Sequence, residues 1–314
     1  MQITSNTRAF IESEQYSQFI LLNFHDVLLP GTFYRNVADF GAGDTLHIKT
    51  VGSVALQEAS EDTPLVYTPI ETGEIIFKIT EYQGDAWYIT DDLREQGADI
   101  DRLMAERAAE STRAIQENVE TKFLSTIGAF YAATNGTFSI NSRPHKIVSA
   151  ATNGIFQLSH LIQMRLAFDK ANVPAEGRIF ICDPVVEATL NGLVTIVSNA
   201  TPFGAEILQQ GLARGNRFVM SLYGWDIITS NRLYVATSSD GTTSITGGVH
   251  NVFMSVADDQ TKPIMFAWRR APKSEGERNK DRARDEHVVR CRYGFGIQRT
   301  DTLGCLVTSA TNIA

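Results

Sequence analysis

Histidines, cysteines and a run of arginines carry most of the potential chemistry in this chain, and their spacing fits no familiar site. His25, His47, His145, His160, His250 and His287 are scattered. No two of them stand four apart around a glutamate, the helical arrangement with which a zinc peptidase holds its metal. Cys182, Cys291 and Cys305 form no C-x-x-C pair. An odd number of thiols in a long chain reads as reduced and structural, in a protein made in a reducing compartment. The phosphate-cradling G-x-x-x-x-G-K-[ST] and the nucleophile elbow G-x-S-x-G are both absent from the sequence. "YGFGIQR" opens like a glycine-rich nucleotide loop, but it lacks the third glycine and runs on into strand-like sequence. "DDLREQGADID" is acidic without the spacing or closing glutamate of a calcium loop, so it reads as helix starts. The expectation is a structural protein, not an enzyme, with no catalytic residues, no metal and no cofactor.

The stretch from Arg269 to Glu286 invites a nucleic-acid reading. It holds Arg269, Arg270, Lys273, Arg278, Lys280, Arg282 and Arg284, but Glu275, Glu277, Asp281, Asp285 and Glu286 nearly balance them. It also lacks aromatics on which bases would stack. It reads as a solvated, charge-rich surface loop or an ion-pair patch at a subunit contact, with Arg278, Arg282 and Arg284 as its candidate residues. The net charge of −8, from 36 acids against 28 bases, argues against a general nucleic-acid binder but not against a protein that encloses nucleic acid. Hydrophobic residues at 43% and charged residues at 20% are ordinary for a folded domain. No apolar run approaches the ~18 residues of a membrane span, and the N-terminus lacks the pattern of a signal peptide.

The elements that would position these residues are more informative. "ADIDRLMAERAAESTRAIQENVETKFLSTIGAF", Ala98 to Phe130, has no proline and no glycine before Gly128. It predicts one helix of about 30 residues, roughly 45 Å long, from an Asp99 cap to about Gly128. Its apolar residues Ile100, Met104, Ala108, Ile115, Val119, Phe123 and Ile127 make one narrow stripe. Arg102 and Arg107 stand on the polar remainder, and Ile115 sits mid-stripe. Ala108 and Thr112 weaken any coiled-coil seam, so the helix is expected to lie across a sheet.

Ahead of the rod, "GDTLHIKTV" alternates Leu46, Ile48 and Thr50 against Thr45, His47 and Lys49, and "EIIFKITEYQ" alternates Ile75, Phe77 and Ile79. With "DAWYIT" they predict a two-stranded excursion from Asp44 to Thr90 with an irregular tip. A lone ribbon is marginal in water, so it must rest on its own body or on a neighbour. Glu58, Glu61 and Asp62 at its tip are the candidate contact residues. Residues 1–43 read as a mixed arm with a short helix in "FIESEQYSQFILLNF". A short helix is expected in "DDLREQG", capped by Asp92 and ended by Gly97. A second amphipathic helix should bury Leu158, Leu161, Ile162, Leu166 and Phe168, and a buried strand should run from Ile179 to Cys182 and stop at Pro184. Helix, turn and strands follow in "FGAEILQQGLARGNRFVMSLYGWDIITSNRL", then a flexible "SSDGTTSITGG" and closing strands. Helices and strands are mixed irregularly, which predicts an α+β protein.

That order of parts resembles the major capsid protein of tailed bacteriophages, the Hong Kong 97-type fold. "GDTLHIKTVG" with "EIIFKITEYQGDAWYITDDL" resembles the extended E-loop and its return. "DIDRLMAERAAESTRAIQENVETKFL" resembles the spine helix. "LAFDKANVPAEGRIFICDPVVEATL" resembles a helix and strand of the peripheral P-domain, and "QGLARGNRFVMSLYGWDIITSNRL" a segment of the axial A-domain. "RCRYGFGIQRTDTL" resembles the closing strands. The resemblance implies an N-terminal arm over 1–43, the E-loop over 44–90, and the spine helix with the P-domain over 91–195. It implies the A-domain over 196–284, and strands returning to the P-domain over 285–314. It implies a major capsid protein self-assembling into pentamers and hexamers of an icosahedral shell around double-stranded DNA. It implies a virion capsid built in the bacterial host cytoplasm with a portal, with or without a decoration protein, and without sequence-specific DNA contacts or a membrane. The lack of a long charged N-terminal extension implies a separate scaffolding protein or none. An encapsulin-type compartment shell is the near alternative, and an enzyme with an unread site the distant one. Some members of the family cross-link neighbours through an E-loop lysine and an asparagine. Between Gly52 and Glu74 there is no lysine, and Lys49 and Lys78 stand at the ribbon's base, so no covalent cross-link is expected.

Overall fold

The stripe of apolar residues on the rod meets two different sheets, and the rest of the fold follows from that. The structure, a computed structural model, describes residues 28–37, 45–51, 57, 58, 61, 67, 69, 72–96, 100–134, 136–192 and 218–313. The helices expected within 10–24 and 203–216, the tip residue Asp62, and Gly97 and Asp99 lie outside the described residues.

In chain order, one 3-10 turn (Gly31–Phe33) leads into β1 (Arg35–Asn36). β2 (Thr45–Val51) and β3 (Thr72–Lys78) pair as an antiparallel ribbon, and β4 (Glu81–Thr90) follows. Helices α1 (Asp91–Gln96) and α2 (Ile100–Ala133) precede the small strands β5 (Ser139–Ile140), β6 (Arg143–Pro144) and β7 (Lys146–Val148). Next come α3 (Leu158–Lys170), β8 (Arg178–Cys182) and α4 (Pro184–Gly192), then β9 (Phe218–Leu222) and β10 (Trp225–Thr229). The chain closes with β11 (Val235–Ser239), β12 (Ser244–Ser255), β13 (Ile264–Asn279), β14 (Arg284–Ile297) and β15 (Leu303–Thr308).

The strands make one sheet in the order β1-β13-β14-β4 and another in the order β7-β15-β12-β8-β10-β9, with β11 paired to β12. In the larger sheet Phe180, Phe253 and Leu306 face α3, against Leu161, Met164 and Phe168. Their alternates Ile179, Ile181, Val252, Met254, Cys305 and Val307 face the second half of α2, against Phe123, Leu124, Ile127 and Tyr131. A sheet covered on both faces needs nearly continuous apolar strands, as in "RIFIC" and "LGCLV". The first half of α2 crosses to the smaller sheet, where Ile115 and Val119 pack on Phe266, Val289, Cys291 and Tyr293. One helix of 34 residues, about 51 Å, thus carries both sheets.

Several expectations change. The rod does not end near Gly128 but runs through it to Ala133. The glycine is there for close approach, since a Cβ would stand 2.3 Å from the Cβ of Tyr234. The strand β4, expected within the ribbon, leaves it and pairs with β14, from Arg284↔Thr90 to Tyr293↔Glu81. The stretch from Arg269 to Glu286 is not a loop but the outer part of a β13–β14 hairpin, paired as far as Asn279↔Arg284. Both faces of that hairpin are wet, so charged side chains satisfy its strands as well as apolar ones would. Residues 239–248 likewise form a tight hairpin, in which Asp240 Oδ1 accepts from Thr242 N and Thr243 N at 2.9 and 2.7 Å.

The end of the arm is core rather than arm: Phe33 is buried, and Tyr34 packs among Phe123, Phe266 and Phe295. Asp92 is not the cap of α1, which starts at Asp91 and has Leu93 N donating to Thr90 Oγ1. On α3 the buried face is His160, Leu161, Met164, Ala167 and Phe168, leaving Ile162 and Leu166 exposed. The strands also group differently from the sequence division. Residues 139–192 share a sheet with 218–255 and 303–308, and 264–297 share one with 81–90.

Candidate subunit-contact surfaces

Among the described residues the ribbon packs on the body through one face. Leu46, Ile48, Ile75 and Phe77 turn inward and pack with Val37, Met265 and Ala267. Phe77 is fully buried, and its ring abuts Gly296, where a Cβ would stand 2.4 Å from Cδ2. The outward face holds His47, Nδ1 2.6 Å from Glu74 Oε1, and Ile76, 54% exposed. Beneath the ribbon a cleft of about 700 Å³ opens between Ile48 and Thr50 on one side and Arg35 and Arg299 on the other. Further out, Glu58 and Glu61 are exposed and Tyr67 is 96% exposed. Alternation was enough to find the ribbon in the sequence. Its anchoring glycine carries no periodic signal and was missed.

The rod's candidates Arg107 and Ile115 meet the smaller sheet. Arg107 reaches Asp85 of β4, Nη2 to Oδ2 at 2.8 Å, and stacks 5.8 Å from the centre of the Trp87 ring. Ser111 Oγ donates to the same Asp85 carboxylate. Ile115 is buried against the smaller sheet, while Arg102 is exposed. Three further ties hold the rod. Lys122 pairs with Glu81 at 3.2 Å, Tyr293 OH donates to Asn118 Oδ1 at 2.6 Å, and Tyr131 OH donates to the Leu303 carbonyl at 2.8 Å. Sequence reasoning also missed Lys146, a buried lysine on β7. Its ammonium donates to the carbonyls of Thr134, just past the C-terminus of α2, and Ser239, at 2.6 and 2.7 Å. Burial holds its pKa below the ordinary lysine range.

The charged residues of the hairpin form a patch whose ion pairs close within the chain. Arg278 grips both oxygens of Asp91 on α1, at 2.5 and 2.6 Å, and Asp285 at 3.2 Å. Arg94 meets Asp285 from α1 at 2.6 Å. The hydrogen bonds from Arg278 hold the Asp91 carboxyl below the usual carboxylate range. Arg284 Nη2 lies 2.7 Å from Glu286 Oε1, Asn279 Nδ2 donates to the same oxygen at 2.9 Å, and the two lower the Glu286 pKa. The Arg284 guanidinium also sits 4.4 Å above the Tyr88 ring. Arg282 lies in the turn, where its N–H donates to Asn279 Oδ1. The patch therefore pins the hairpin to α1.

Among the described residues no cluster of three His, Cys, Asp or Glu is placed to hold a metal. The three cysteines are free and buried, and burial pushes the thiols of Cys182 and Cys305 up. His145, His160 and His250 are buried with lowered pKa values, each from loss of hydration. No described helix is long and apolar enough to cross a membrane.

A family model of phage capsid proteins matches residues 72–308. No curated protein matches the sequence. Among solved structures, the capsid of cyanophage P-SCSP1u superposes with a TM-score of 0.68 at 17% identity, covering 96% of this chain and 94% of that one. A Mycobacterium phage Che8 structure gives 0.64 at 17% identity, covering 94% and 97%. The mature capsid of bacteriophage PhiM1 gives 0.68 at 10% identity, covering 96% and 93%. At these identities the likeness is one of fold.

Proposed function

The chain belongs to the phage capsid protein family, and from that premise we propose how its parts build a shell. It is a structural capsid protein with the Hong Kong 97-type α+β fold, and copies of it assemble into the capsid of a virion. The observation that carries the proposal is mechanical. One helix ties two sheets into a body, while the β2–β3 ribbon is a separate two-stranded sheet that packs by one face on the smaller sheet and leaves the other face exposed. An element with so little core of its own gains stability by lying on another copy.

In this reading β2–β3 and the residues between them are the E-loop, and α2 is the spine. The smaller sheet with its hairpin is the peripheral domain, and the larger sheet with α3 and α4 is the axial domain. Copies join as pentamers and hexamers of an icosahedral shell around double-stranded DNA, without sequence-specific contacts. Assembly takes place in the host cytoplasm, with a portal, a separate scaffolding protein and, where one exists, a decoration protein. Family membership favours this over an encapsulin-type compartment. Each contact is non-covalent, so its strength comes from buried apolar area, about 25 cal/mol per Å², less the cost of ordering and desolvation. Sedimentation and light scattering of the expressed chain, alone and with its scaffold, test the proposal. Particles far larger than a pentamer support it. A monomer under every condition refutes it.

A further inference from the structure

The larger sheet ends on a strand whose free edge is held out of water. β7 is the last strand on its side of that sheet, and among the described residues its partner is β15, in parallel. Cys305 N donates to the His145 carbonyl at 2.8 Å, and Ser149 N to the Val307 carbonyl at 3.0 Å. In a ladder alternate residues serve one neighbour, so residues 145, 147 and 149 face β15. Lys146 and Val148 turn their N–H and C=O groups the other way. Among the described residues no hydrogen bond reaches those groups. Yet Lys146 is 1% exposed and Val148 3%. A backbone donor or acceptor kept from water without a partner costs about as much as a lost hydrogen bond. An edge in that state is a template for another strand.

A cleft of about 450 Å³ opens beside Lys146 and Val148, walled by Ser159, His160 and Gln163 at the start of α3 and by Asp240 of the 239–248 hairpin. The α3 wall is built of donors. Ser159 N, in the first turn of a 13-residue helix, has no partner among the described residues, and the helix dipole adds to its pull on an anion. His160 adds a second donor. Its Nδ1 accepts from Gln157 N at 3.2 Å, so the ring proton sits on Nε2. Nε2 has no partner among the described residues, although His160 is only 5% exposed. The Asp240 carboxylate is engaged by its own hairpin through Thr242 N and Thr243 N. Unpaired strand backbone beside donors that seek an anion suits an extended peptide with a carboxylate side chain. Every described strand of this chain already belongs to a sheet, so none is spare to fill the edge. We propose that the β7 edge and the start of α3 form a docking groove for an extended acidic segment of a separate polypeptide. The segment adds to β7 as a strand and sets an aspartate or glutamate against Ser159 N and His160 Nε2. All of these residues belong to one subunit, so the groove does not depend on the shell reading.

The probe is a terminally blocked five-residue peptide of alternating valine and threonine with aspartate at its centre, added to the full unassembled chain. Amide hydrogen exchange at Lys146 and Val148 should slow by about tenfold or more as the peptide saturates. Asparagine or lysine at the centre should weaken binding by about tenfold or more. Val148→Pro deletes one outward N–H and leaves the β15 ladder its donors, a place where an edge strand tolerates proline. It should abolish the protection. His160→Phe should instead keep the binding and shrink the preference for aspartate over asparagine. Circular dichroism checks that each variant folds. No slowing at these two amides with up to about 5 mM peptide, or equal binding of the aspartate and lysine peptides, overturns the proposal. An unchanged aspartate preference in folded His160→Phe removes the histidine from the site and overturns the assignment as stated. If shells of the chain alone protect the two amides without peptide, a second copy fills the edge and the separate partner is wrong.

Discussion

Replacing Gly296 with alanine adds one methyl group and should loosen the whole ribbon. The added Cβ would lie 2.4 Å from Cδ2 and 3.0 Å from Cε2 of Phe77, where carbon atoms prefer about 3.5–4.0 Å. Phe77 cannot easily yield, because it is fully buried against Met265 and Ala267. Overpacking of this kind costs about 1–3 kcal/mol, and relief comes most readily by lifting the ribbon root off β14. Phe77→Ala alone should cost about 3–5 kcal/mol through the cavity it leaves. The two effects share one contact, so they should not add. In the Phe77→Ala background, Gly296→Ala should cost almost nothing and can even stabilise. Urea denaturation of the wild type, both single variants and the double variant measures the cycle, and sedimentation of the same four reports assembly. An equal penalty for Gly296→Ala with and without the ring would show that the ring–glycine contact does not hold the ribbon.

Ile115→Pro removes a backbone hydrogen bond in the middle of α2 and clashes with the preceding turn, at a cost of about 3 kcal/mol or more. Soluble, assembled particles from that variant would show that the rod does not need to be continuous. Acid should weaken the fold through His160, buried on α3, with Nδ1 accepting from Gln157 N and its pKa lowered to about 4 by loss of hydration. The unfolded chain takes up this proton below about pH 6.5 while the folded chain stays neutral until about 4. Stability is therefore full above the unfolded value and falls by about 3 kcal/mol as pH drops through that window. His160→Gln should lose less between pH 7 and 4.5 in urea melts, and an identical loss would exclude this histidine as a source. Mature particles boiled in detergent and reductant should run as one band near 34.7 kDa, whereas a ladder would reveal a cross-link.

Much of the frame could be read from residue periods. Ile115, Val119, Phe123 and Ile127 fall four apart, and Leu46, Ile48, Ile75 and Phe77 fall two apart, so the rod and the ribbon declare themselves. The hairpin beyond Trp268 did not, because its strands are wet on both faces and their charges mimic a loop. The end of the rod was misread because Gly128 serves the approach of Tyr234 rather than a helix stop. Tyr34, Lys146 and Gly296 act through partners far along the chain, and no local pattern records such a distance. The hairpin arginines Arg278, Arg282 and Arg284 lie at its outer end. Only the register of β13 on β14 separates those that pair internally, such as Arg278, from Lys273 and Arg290, which face like charge.

Electron microscopy of the assembled protein tests the central claim most directly. The account predicts closed icosahedral shells in which every subunit shows a rod about 50 Å long beneath one sheet and across another, with its ribbon lying on an adjacent copy. Particles whose subunits keep the ribbon folded on their own body, or preparations that hold no closed shells even with scaffold present, would contradict it.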